Sequence, residues 1–271
     1  MDLDLSAACA AAENAATAAA DVISEFVESG QWTVSTKSDD SPVTEVDVAA
    51  EHAIKSVLLQ AFPEAAFFGE ETGHSEAMAK SESSQSLPGL RWLVDPIDGT
   101  KSFIRGMPFY STQIALEHEG ALIVGVSNAP AYGERLVAIA DKHTRMNDRD
   151  VKVRSNIVNI EDAFLSSGNL TTLALDPKRW ASYGELVSRV KRVRGYGDFC
   201  HYHQLCAGQT DLIVESDVNI LDIAALTVGI RAAGGIITDL EGNAINEKTT
   251  SVLAAGSRAL HAMVLELLSP G

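Results

Sequence analysis

Apolar residues at helical spacing dominate the first sixty residues of the chain. Residues 5–28 are rich in alanine and lack glycine and proline, which predicts a long helix that Gly30 ends. Residues 46–62 repeat apolar positions every three or four residues up to Pro63, which predicts a second helix. The short apolar run 65–69 indicates a buried strand that leads directly into two glutamates.

Strands and helices alternate through the rest of the chain. The pattern predicts a strand at 91–94, an antiparallel meander over 110–140, and further strands at 163–167, 192–195, 211–215 and 236–239. Helices are predicted at 178–190, 198–207, 222–233 and 257–268, and the polar segment 72–89 is predicted to be a mobile surface loop. We therefore expect an α/β (α+β) fold in layers, with halves at 1–150 and 151–271 packed as one compact unit.

Charge and composition narrow the classes of partner. The 271 residues carry a formal net charge of −16, which disfavours nucleic acid because phosphate backbones attract clustered Lys and Arg. No apolar run reaches the roughly 20 residues of a membrane helix, and the acidic first thirty residues do not resemble a signal peptide. Only three cysteines are present, which favours a reducing compartment. The composition thus predicts a cytoplasmic protein without nucleic-acid or membrane partners.

Two aspartates follow the predicted strand at 91–94, in the sequence WLVDPIDGTKSF. Asp95 lies at the strand tip, and Pro96 is expected to leave the strand because proline cannot donate to a central ladder. Gly99 and Thr100 then lie near a helix start, where free N–H groups attract anions. A hard divalent cation such as Mg²⁺ would reconcile two carboxylates with a nearby phosphate. The alternative is structural, with Asp95 as a helix cap and Asp98 in a turn.

Three more acids lie at the ends of predicted elements. Glu70 follows a buried strand, Asp222 precedes an apolar helix, and Asp47 follows Thr44 at the start of the second helix. Each position also has a structural interpretation: Glu70 can begin a solvated loop, Asp222 can be a plain N-cap, and Asp47 can lie in the first turn of a helix that Thr44 caps. Taken together, these acids indicate one site in a crevice at the strand tips.

Several of these segments resemble the inositol monophosphatase superfamily. They are GEE at 69–71, DPIDGT at 95–100, and LDIAA at 221–225 followed by AGG at 233–235. The resemblance extends over nearly the whole chain, from about residue 8 to 268. It implies a Mg²⁺-dependent, lithium-sensitive phosphatase, a homodimer, and the layered αβαβα sandwich of the inositol monophosphatase and fructose-1,6-bisphosphatase type.

The resemblance also implies a set of metal ligands. Glu70, Asp95 and the carbonyl oxygen of Ile97 would hold a first Mg²⁺. Asp95, Asp98 and Asp222 would hold a second, and a weaker third would lie near Glu70, so that two or three ions serve each site.

The remaining site residues implied by the resemblance act on water and phosphate. Thr100 and Asp47 correspond to the pair that orients and deprotonates the attacking water, with Glu70 beside them. Backbone N–H groups of Gly99 and Thr100 would bind the phosphate. No cysteine or serine nucleophile is required in this scheme.

One branch of the superfamily matches best. SPVTEVD at 41–47, DPIDGTKSFIRG at 95–106, and GD at 197–198 with DLIVE at 211–215 resemble the histidinol-phosphate phosphatases. The implied substrate, L-histidinol phosphate, carries an amine and an imidazole that Asp198 and Glu215 could bind, with Asp222 also beside the substrate. Inositol-1-monophosphatase or a broad sugar-phosphate phosphatase is the enzymatic alternative. A non-catalytic scaffold or regulatory protein is the other.

The segment CHYHQLC at 200–206 raises the question of a zinc site. On a helix its cysteines and histidines do not share one face, and their spacing matches no common zinc pattern. We therefore expect core cysteines and histidines at the rim of the site.

Overall fold

Layers of helix and sheet alternate through the fold in the order α, β, α, β, α. The computed structural model describes residues 3–36, 42–76 and 89–269. Its helices are α1 (Leu5–Ser29), α2 (Glu45–Ala61), α3 (Thr100–Ile104), α4 (Thr171–Leu175), α5 (Pro177–Arg189), α6 (Asp198–Cys206), α7 (Ile220–Ala232) and α8 (Arg258–Leu268).

The strands follow the same chain order. They are β1 (Val34–Thr36), β2 (Pro42–Thr44), β3 (Ala66–Gly69), β4 (Gly73–Ser75), β5 (Leu90–Asp98), β6 (Ser111–His118), β7 (Ala121–Ala129), β8 (Glu134–Ile139), β9 (His143–Met146), β10 (Arg149–Asp150), β11 (Phe164–Gly168), β12 (Arg192–Arg194), β13 (Leu212–Ser216), β14 (Ile236–Thr238) and β15 (Ser251–Ala255). Short 3₁₀ turns lie at Pro130–Tyr132 and Ile160–Asp162.

The larger sheet has the strand order β10-β9-β8-β7-β6-β5-β3-β4, and β1 with β2 forms a separate hairpin. All neighbours in the larger sheet pair antiparallel except β3 and β5, which run parallel. Helices α1 and α2 cover one face of this sheet. The alanines of α1 are wholly buried at residues 8, 12, 15, 16 and 19, and their small side chains allow the helix to lie close to the strands.

Helices α6 and α7 form the middle layer. Helix α7 packs against β5, β6, β7, β8 and β9 of the larger sheet and also against β14 of the smaller one. Its contact with β7 is so close that a Cβ on Gly125 would lie 2.4 Å from the carbonyl oxygen of Ala225. The core around α7 therefore joins the two sheets into one packed body.

The smaller sheet has the order β12-β11-β13-β15-β14, with β11 parallel to both of its neighbours and β15 antiparallel to β13 and β14. Helices α4, α5 and α8 cover its outer face over a separate apolar cluster. This arrangement confirms the predicted layered sandwich. Across residues 3–36, 42–76 and 89–269, no helix combines the length and apolarity needed to cross a bilayer.

The structure confirms some predicted boundaries and corrects others. Helix α1 ends at Gly30, whose φ of 64° is left-handed, as expected. The predicted strand 91–94 was too short, because β5 continues through Pro96 to Asp98. The helix predicted from Asp222 begins two residues earlier, at Ile220. Strand β15, with the sequence SVLAA, was not predicted. In the smaller sheet it lies between β13 and β14 and pairs with both.

The polar segment 72–89 lies only partly within the described residues. It contains the short strand β4, which pairs with β3 and was not predicted. Residues 77–88 lie outside the described part of the chain. The expectation of a mobile loop at 77–88 stays a prediction.

Candidate active site

A bulge at the end of β5 accounts for the two aspartates of the DPIDGT segment. The pairing register of β5 with β6 shifts between Asp95 and Asp98, and Pro96 lies within this shift. Proline is tolerated at a bulge because no ladder hydrogen bond is required there. The N–H of Ile97 instead donates to Oδ1 of Asp95 at 2.9 Å, and Thr112 Oγ1 donates to the carbonyl oxygen of Pro96 at 2.9 Å. The prediction that Pro96 leaves the strand was therefore wrong.

The first turn of α7 brings a third aspartate to the bulge. Asn219 caps the helix, and Asp222 accepts from the Asn219 N–H and from its side-chain amide, each at 2.8 Å. One carboxylate oxygen from each of Asp95, Asp98 and Asp222 lies within 4.8 Å of the others. The alternative of a plain N-cap at Asp222 was therefore wrong: Asn219 is the N-cap, and Asp222 completes a capping box from the first turn while also belonging to the acidic cluster.

Glu70 belongs to the same cluster. It follows β3, and its N–H donates to the carbonyl oxygen of Val94 at 3.1 Å, which fixes it beside the neighbouring strand β5. The charge of Glu70 raises the pKa of Asp95, Asp222 and Asp47, so its carboxylate lies within electrostatic reach of all three.

Burial and mutual repulsion perturb the acids strongly. Burial, then the charges of neighbouring acids, raises the pKa of Asp95 and of Asp98 well above the ordinary value. The same causes raise the pKa of Asp222 to about 7, although the hydrogen bond from Asn219 lowers it. Among the ranges that the structure describes, no Lys or Arg forms an ion pair with Asp95, Asp98 or Asp222. Within residues 3–36, 42–76 and 89–269, these three aspartates thus have no paired Lys or Arg to offset their charge.

This donor set fits a hard divalent cation. Carboxylate and carbonyl oxygens are the ligands that Mg²⁺ takes, often one or two carboxylates together with substrate phosphate. A bound cation would also remove the repulsion that raises the pKa of these acids. The three clustered side chains all offer carboxylate oxygens, so the cluster does not fit a thiolate-type zinc site.

Asp47 and Thr100 meet at the edge of the cluster. Thr100 Oγ1 lies 3.1 Å from Oδ1 of Asp47 and 2.9 Å from the carbonyl oxygen of Ile97, and its hydroxyl can donate to either. The other oxygen of Asp47 accepts from the N–H of Thr44 at 2.8 Å and from the Thr44 hydroxyl. Burial raises the pKa of Asp47, while its hydrogen bonds lower it. Asp47 therefore both caps α2 and reaches the site.

Gly99 makes the turn from the bulge into α3. Its φ of 93° is strained for any residue with a side chain, and a Cβ there would lie 2.8 Å from the carbonyl oxygen of Phe109. Thr100 begins α3 immediately afterwards, so its N–H and that of Gly99 stand near the acidic cluster.

A second pair of acids extends the cluster into a small pocket. Asp198 at the start of α6 and Glu215 on β13 line a cavity of about 20 Å³ together with Asp98 and Asp222. Burial, then the charge of Glu215, raises the pKa of Asp198 to about 6, while nearby His201 lowers it. The structure therefore brings together every site residue named from the sequence, including Gly99, Ile97 and the clustered acids.

Three polar residues that the sequence analysis missed support the site. Both carboxylate oxygens of buried Glu51 accept backbone N–H groups next to Glu70, from Glu71 and Thr72 at 2.8 Å each. Tyr202 and His201 hold Glu215. Glu51 could have been found from the sequence, because it is an acid at a core-facing position of a predicted helix.

The cysteines and histidines of segment 200–206 are all buried. Cys200 and Cys206 lie in the core as expected, but His201 and His203 are fully buried rather than at the rim. Burial is tolerated because both nitrogens of each ring have hydrogen-bond partners.

Comparison with known proteins decides the family. The model of the inositol monophosphatase family matches residues 4–270, which is nearly the whole chain. The chain belongs to the inositol monophosphatase family. Members of this family are metal-dependent phosphatases, so the acidic cluster lies in a phosphoric monoester hydrolase.

Relatives within the inositol monophosphatase family carry different names. The chain is 33% identical to the chloroplastic bifunctional phosphatase IMPL2 of Arabidopsis thaliana, over 98% of this chain and 76% of that protein. It is 35% identical to the histidinol-phosphatase of Mycobacterium tuberculosis, over 88% of each. A solved inositol monophosphatase from Zymomonas mobilis superposes with a TM-score of 0.81 at 29% identity, over 98% of this chain and 99% of that one. Family membership is therefore shared by proteins with more than one substrate name.

Proposed function

We propose that this protein is a Mg²⁺-dependent phosphatase that hydrolyses L-histidinol phosphate to L-histidinol and phosphate, a step of histidine biosynthesis. The observation that carries the choice of substrate is the second acidic pair, Asp198 and Glu215, beside the metal-site aspartates. A phosphate ester with a positive group suits such a pocket, because an ammonium can pair with carboxylates that a neutral polyol would leave unpaired. Similarity to the mycobacterial histidinol-phosphatase supports the same substrate.

Five groups are assigned to metal binding in this proposal. Glu70, Asp95 and the carbonyl oxygen of Ile97 would hold one Mg²⁺, and Asp95, Asp98 and Asp222 would hold another, with a weaker third near Glu70. Bound Mg²⁺ lowers the pKa of water and neutralises charge on the attacking and leaving oxygens.

Thr100 and Asp47 orient the water that attacks phosphorus. In this mechanism the Thr100 hydroxyl donates to Asp47 rather than to the Ile97 carbonyl, and its oxygen accepts a hydrogen bond from the water. Asp47 is a better proton acceptor than an exposed carboxylate because burial raises its pKa. As the water oxygen bonds to phosphorus, the water gives its proton to the Thr100 hydroxyl, which passes its own to Asp47. The bond from phosphorus to the ester oxygen breaks at the same time, and the departing alkoxide takes a proton from solvent and leaves as the alcohol.

The phosphate and the rest of the substrate occupy opposite sides of the cluster. Backbone N–H groups of Gly99 and Thr100 donate to the phosphate oxygens. Asp198 and Glu215 bind the nitrogen-bearing part of the substrate, with Asp222 between the two regions. A cytoplasmic location and a homodimer, expected from the sequence, belong to the same proposal.

The test is phosphate release by the purified chain from a small panel of monoesters. L-histidinol phosphate, myo-inositol 1-phosphate and glycerol 2-phosphate are each supplied with Mg²⁺ or with EDTA. We expect release from L-histidinol phosphate only with Mg²⁺, and a kcat/KM at least about tenfold above that for the inositol ester, since one charge-assisted hydrogen bond contributes about 1.5–3 kcal/mol.

Other outcomes assign other functions. Release from the inositol ester but not from histidinol phosphate would identify an inositol-1-monophosphatase, and equal release from all three would identify a broad phosphatase. No release from any ester would favour a scaffold that retains the fold.

A further inference from the structure

The two oxygens of the Glu215 carboxylate are in different environments. Oε2 accepts from the Tyr202 hydroxyl at 2.6 Å and contacts Nε2 of His201 at 3.1 Å. Oε1 is buried and has no hydrogen-bond partner among residues 3–36, 42–76 and 89–269. An unpaired buried carboxylate oxygen is costly, so an oxygen left open in a residue that lines a pocket points to a ligand.

The contacts of His201 fix a donor at Nε2. A carboxylate only accepts, so Nε2–H donates to Glu215, while Nδ1 lies 3.2 Å from the Ser166 hydroxyl. The ring is fully buried and lies between strands β11 and β13, which carry Ser166 and Glu215. It does not line the pocket itself. His201 therefore contacts the carboxylate without reaching a bound substrate.

The backbone around Oε1 leaves room for the carboxylate in this orientation. A Cβ on Gly168 would lie 2.5 Å from Oε1 of Glu215 and 2.6 Å from the Cα of Gly197. Glu215 and Asp198 both line a cavity of about 20 Å³, which holds one water-sized group. An ammonium group has that size and carries the charge that two carboxylates attract.

We propose that His201 is a positioning residue that keeps Oε1 of Glu215 turned toward the pocket, so that Glu215 and Asp198 bind the ammonium group of an aminoalkyl phosphate substrate. The inference rests on the proposed function and adds a residue and a contact to it. Without the His201 donor the carboxylate is held by Tyr202 alone and can rotate. The ammonium group then loses an aligned acceptor, whereas the contacts of the protein with the phosphate are unchanged.

The test compares variants of His201 on two substrates that differ in one group. L-histidinol phosphate is paired with its deamino analogue, 3-(imidazol-4-yl)propyl phosphate. His201→Phe keeps a ring without a donor, and His201→Gln keeps a donor near the position of Nε2. His203→Gln is the matched control, because His203 is a buried histidine of the same helix that contacts Glu134 and Ser127 instead.

We expect His201→Phe to raise KM for L-histidinol phosphate about tenfold, the effect of one hydrogen bond to a charged group. The kcat, and the KM for the deamino analogue, should stay within about twofold, because His201 touches neither substrate nor the reacting atoms. His201→Gln should restore most of the lost affinity, and His203→Gln should leave the ratio of the two KM values unchanged. Ser166→Ala should also raise KM for L-histidinol phosphate, but by less. This variant replaces His201→Phe in the test if His201→Phe does not fold.

Binding of L-histidinol and of 3-(imidazol-4-yl)propanol, measured by calorimetry, separates this inference from the proposed function. A His201-dependent preference for the amine, without hydrolysis of histidinol phosphate, would refute the proposed function and leave the inference standing. Hydrolysis of histidinol phosphate without any preference for the amine would refute the inference about His201 and leave the proposed function standing. Equal losses on both substrates in His201→Phe, or a changed Mg²⁺ affinity at constant KM, would also overturn the inference.

Discussion

Replacing Asp222 by asparagine should make the metal-free protein more stable at alkaline pH while removing its activity. Burial, and then the charges of neighbouring acids, raises the pKa of Asp222 from its ordinary value of 3.8 to about 7. The unfolded chain ionises this group at a lower pH than the folded chain does. Between about pH 4 and 7 the folded state therefore holds the extra proton, and stability falls as pH rises through this window.

The magnitude follows from the displacement of the pKa and from the helix cap. A displacement of about three pH units corresponds to at most about 4 kcal/mol of destabilisation, which is fully present above about pH 7. The side-chain amide of the variant would carry no charge but would accept less well from Asn219, and a weakened cap costs about 1 kcal/mol. We therefore expect Asp222→Asn to stabilise the metal-free protein by about 3 kcal/mol at about pH 8.

The measurement is denaturant unfolding in EDTA from about pH 4 to 9. The stabilisation should disappear near pH 4. A saturating concentration of Mg²⁺ should stabilise the wild type much more than the variant, because ligand that binds only the folded state stabilises it. Asp176→Asn is the control, since Asp176 caps the exposed start of α5 and asparagine caps as well. A metal-free Asp222→Asn protein that is less stable than the wild type at about pH 8 would refute the idea of uncompensated repulsion.

Three further substitutions test individual groups. Asp95→Asn should abolish phosphate release, with circular dichroism unchanged, because Asp95 is assigned to both metals; a retained kcat would contradict that assignment. Thr100→Val should lower kcat about 10²–10⁴-fold with little change in KM, since it removes the hydroxyl that links water to Asp47. Steady-state kinetics at saturating Mg²⁺ measure both constants. A normal kcat would exclude proton transfer through the Thr100 hydroxyl. Glu51→Gln should weaken Mg²⁺ binding in calorimetry and cost about 1–3 kcal/mol of stability in denaturant. The reason is that one backbone N–H, at Glu71 or Thr72, loses its charged acceptor. An unchanged Mg²⁺ affinity would show that Glu51 is only structural.

The sequence predicted the acids of the site better than the backbone that carries them. Asp95 and Asp98 were found because two charges after an apolar strand are unusual. Glu70 and Asp222 were linked to them because they also lie at the ends of predicted elements, and the family resemblance then implied their roles. The bulge could not be predicted, since it depends on the pairing of β5 with β6 and on the hydrogen bond from Thr112 to the Pro96 carbonyl. Rules based on local sequence correctly disfavour proline in a regular strand ladder, but they cannot predict a bulge that depends on a neighbouring strand.

The residues around Glu215 show the other limit of prediction from sequence. His201 was expected at the rim once its spacing had argued against a zinc site, yet the hydroxyl of Ser166 and the Glu215 carboxylate are partners for both ring nitrogens in the core. These partners lie 35 and 14 residues away along the chain, on two different strands. Contacts of that kind appear only when α6 is packed against the smaller sheet.

If Asp222 holds Mg²⁺ as proposed, its position on α7 ties activity to the unfolding of the whole molecule. This helix is buried against strands of both sheets, and the close approach of Gly125 to Ala225 leaves no room for it to slide. A ligand carried on such a helix cannot be displaced while the rest of the protein stays intact. Heat inactivation should therefore follow the same curve as the loss of circular dichroism, without an earlier phase in which a folded protein has already lost its catalytic centre.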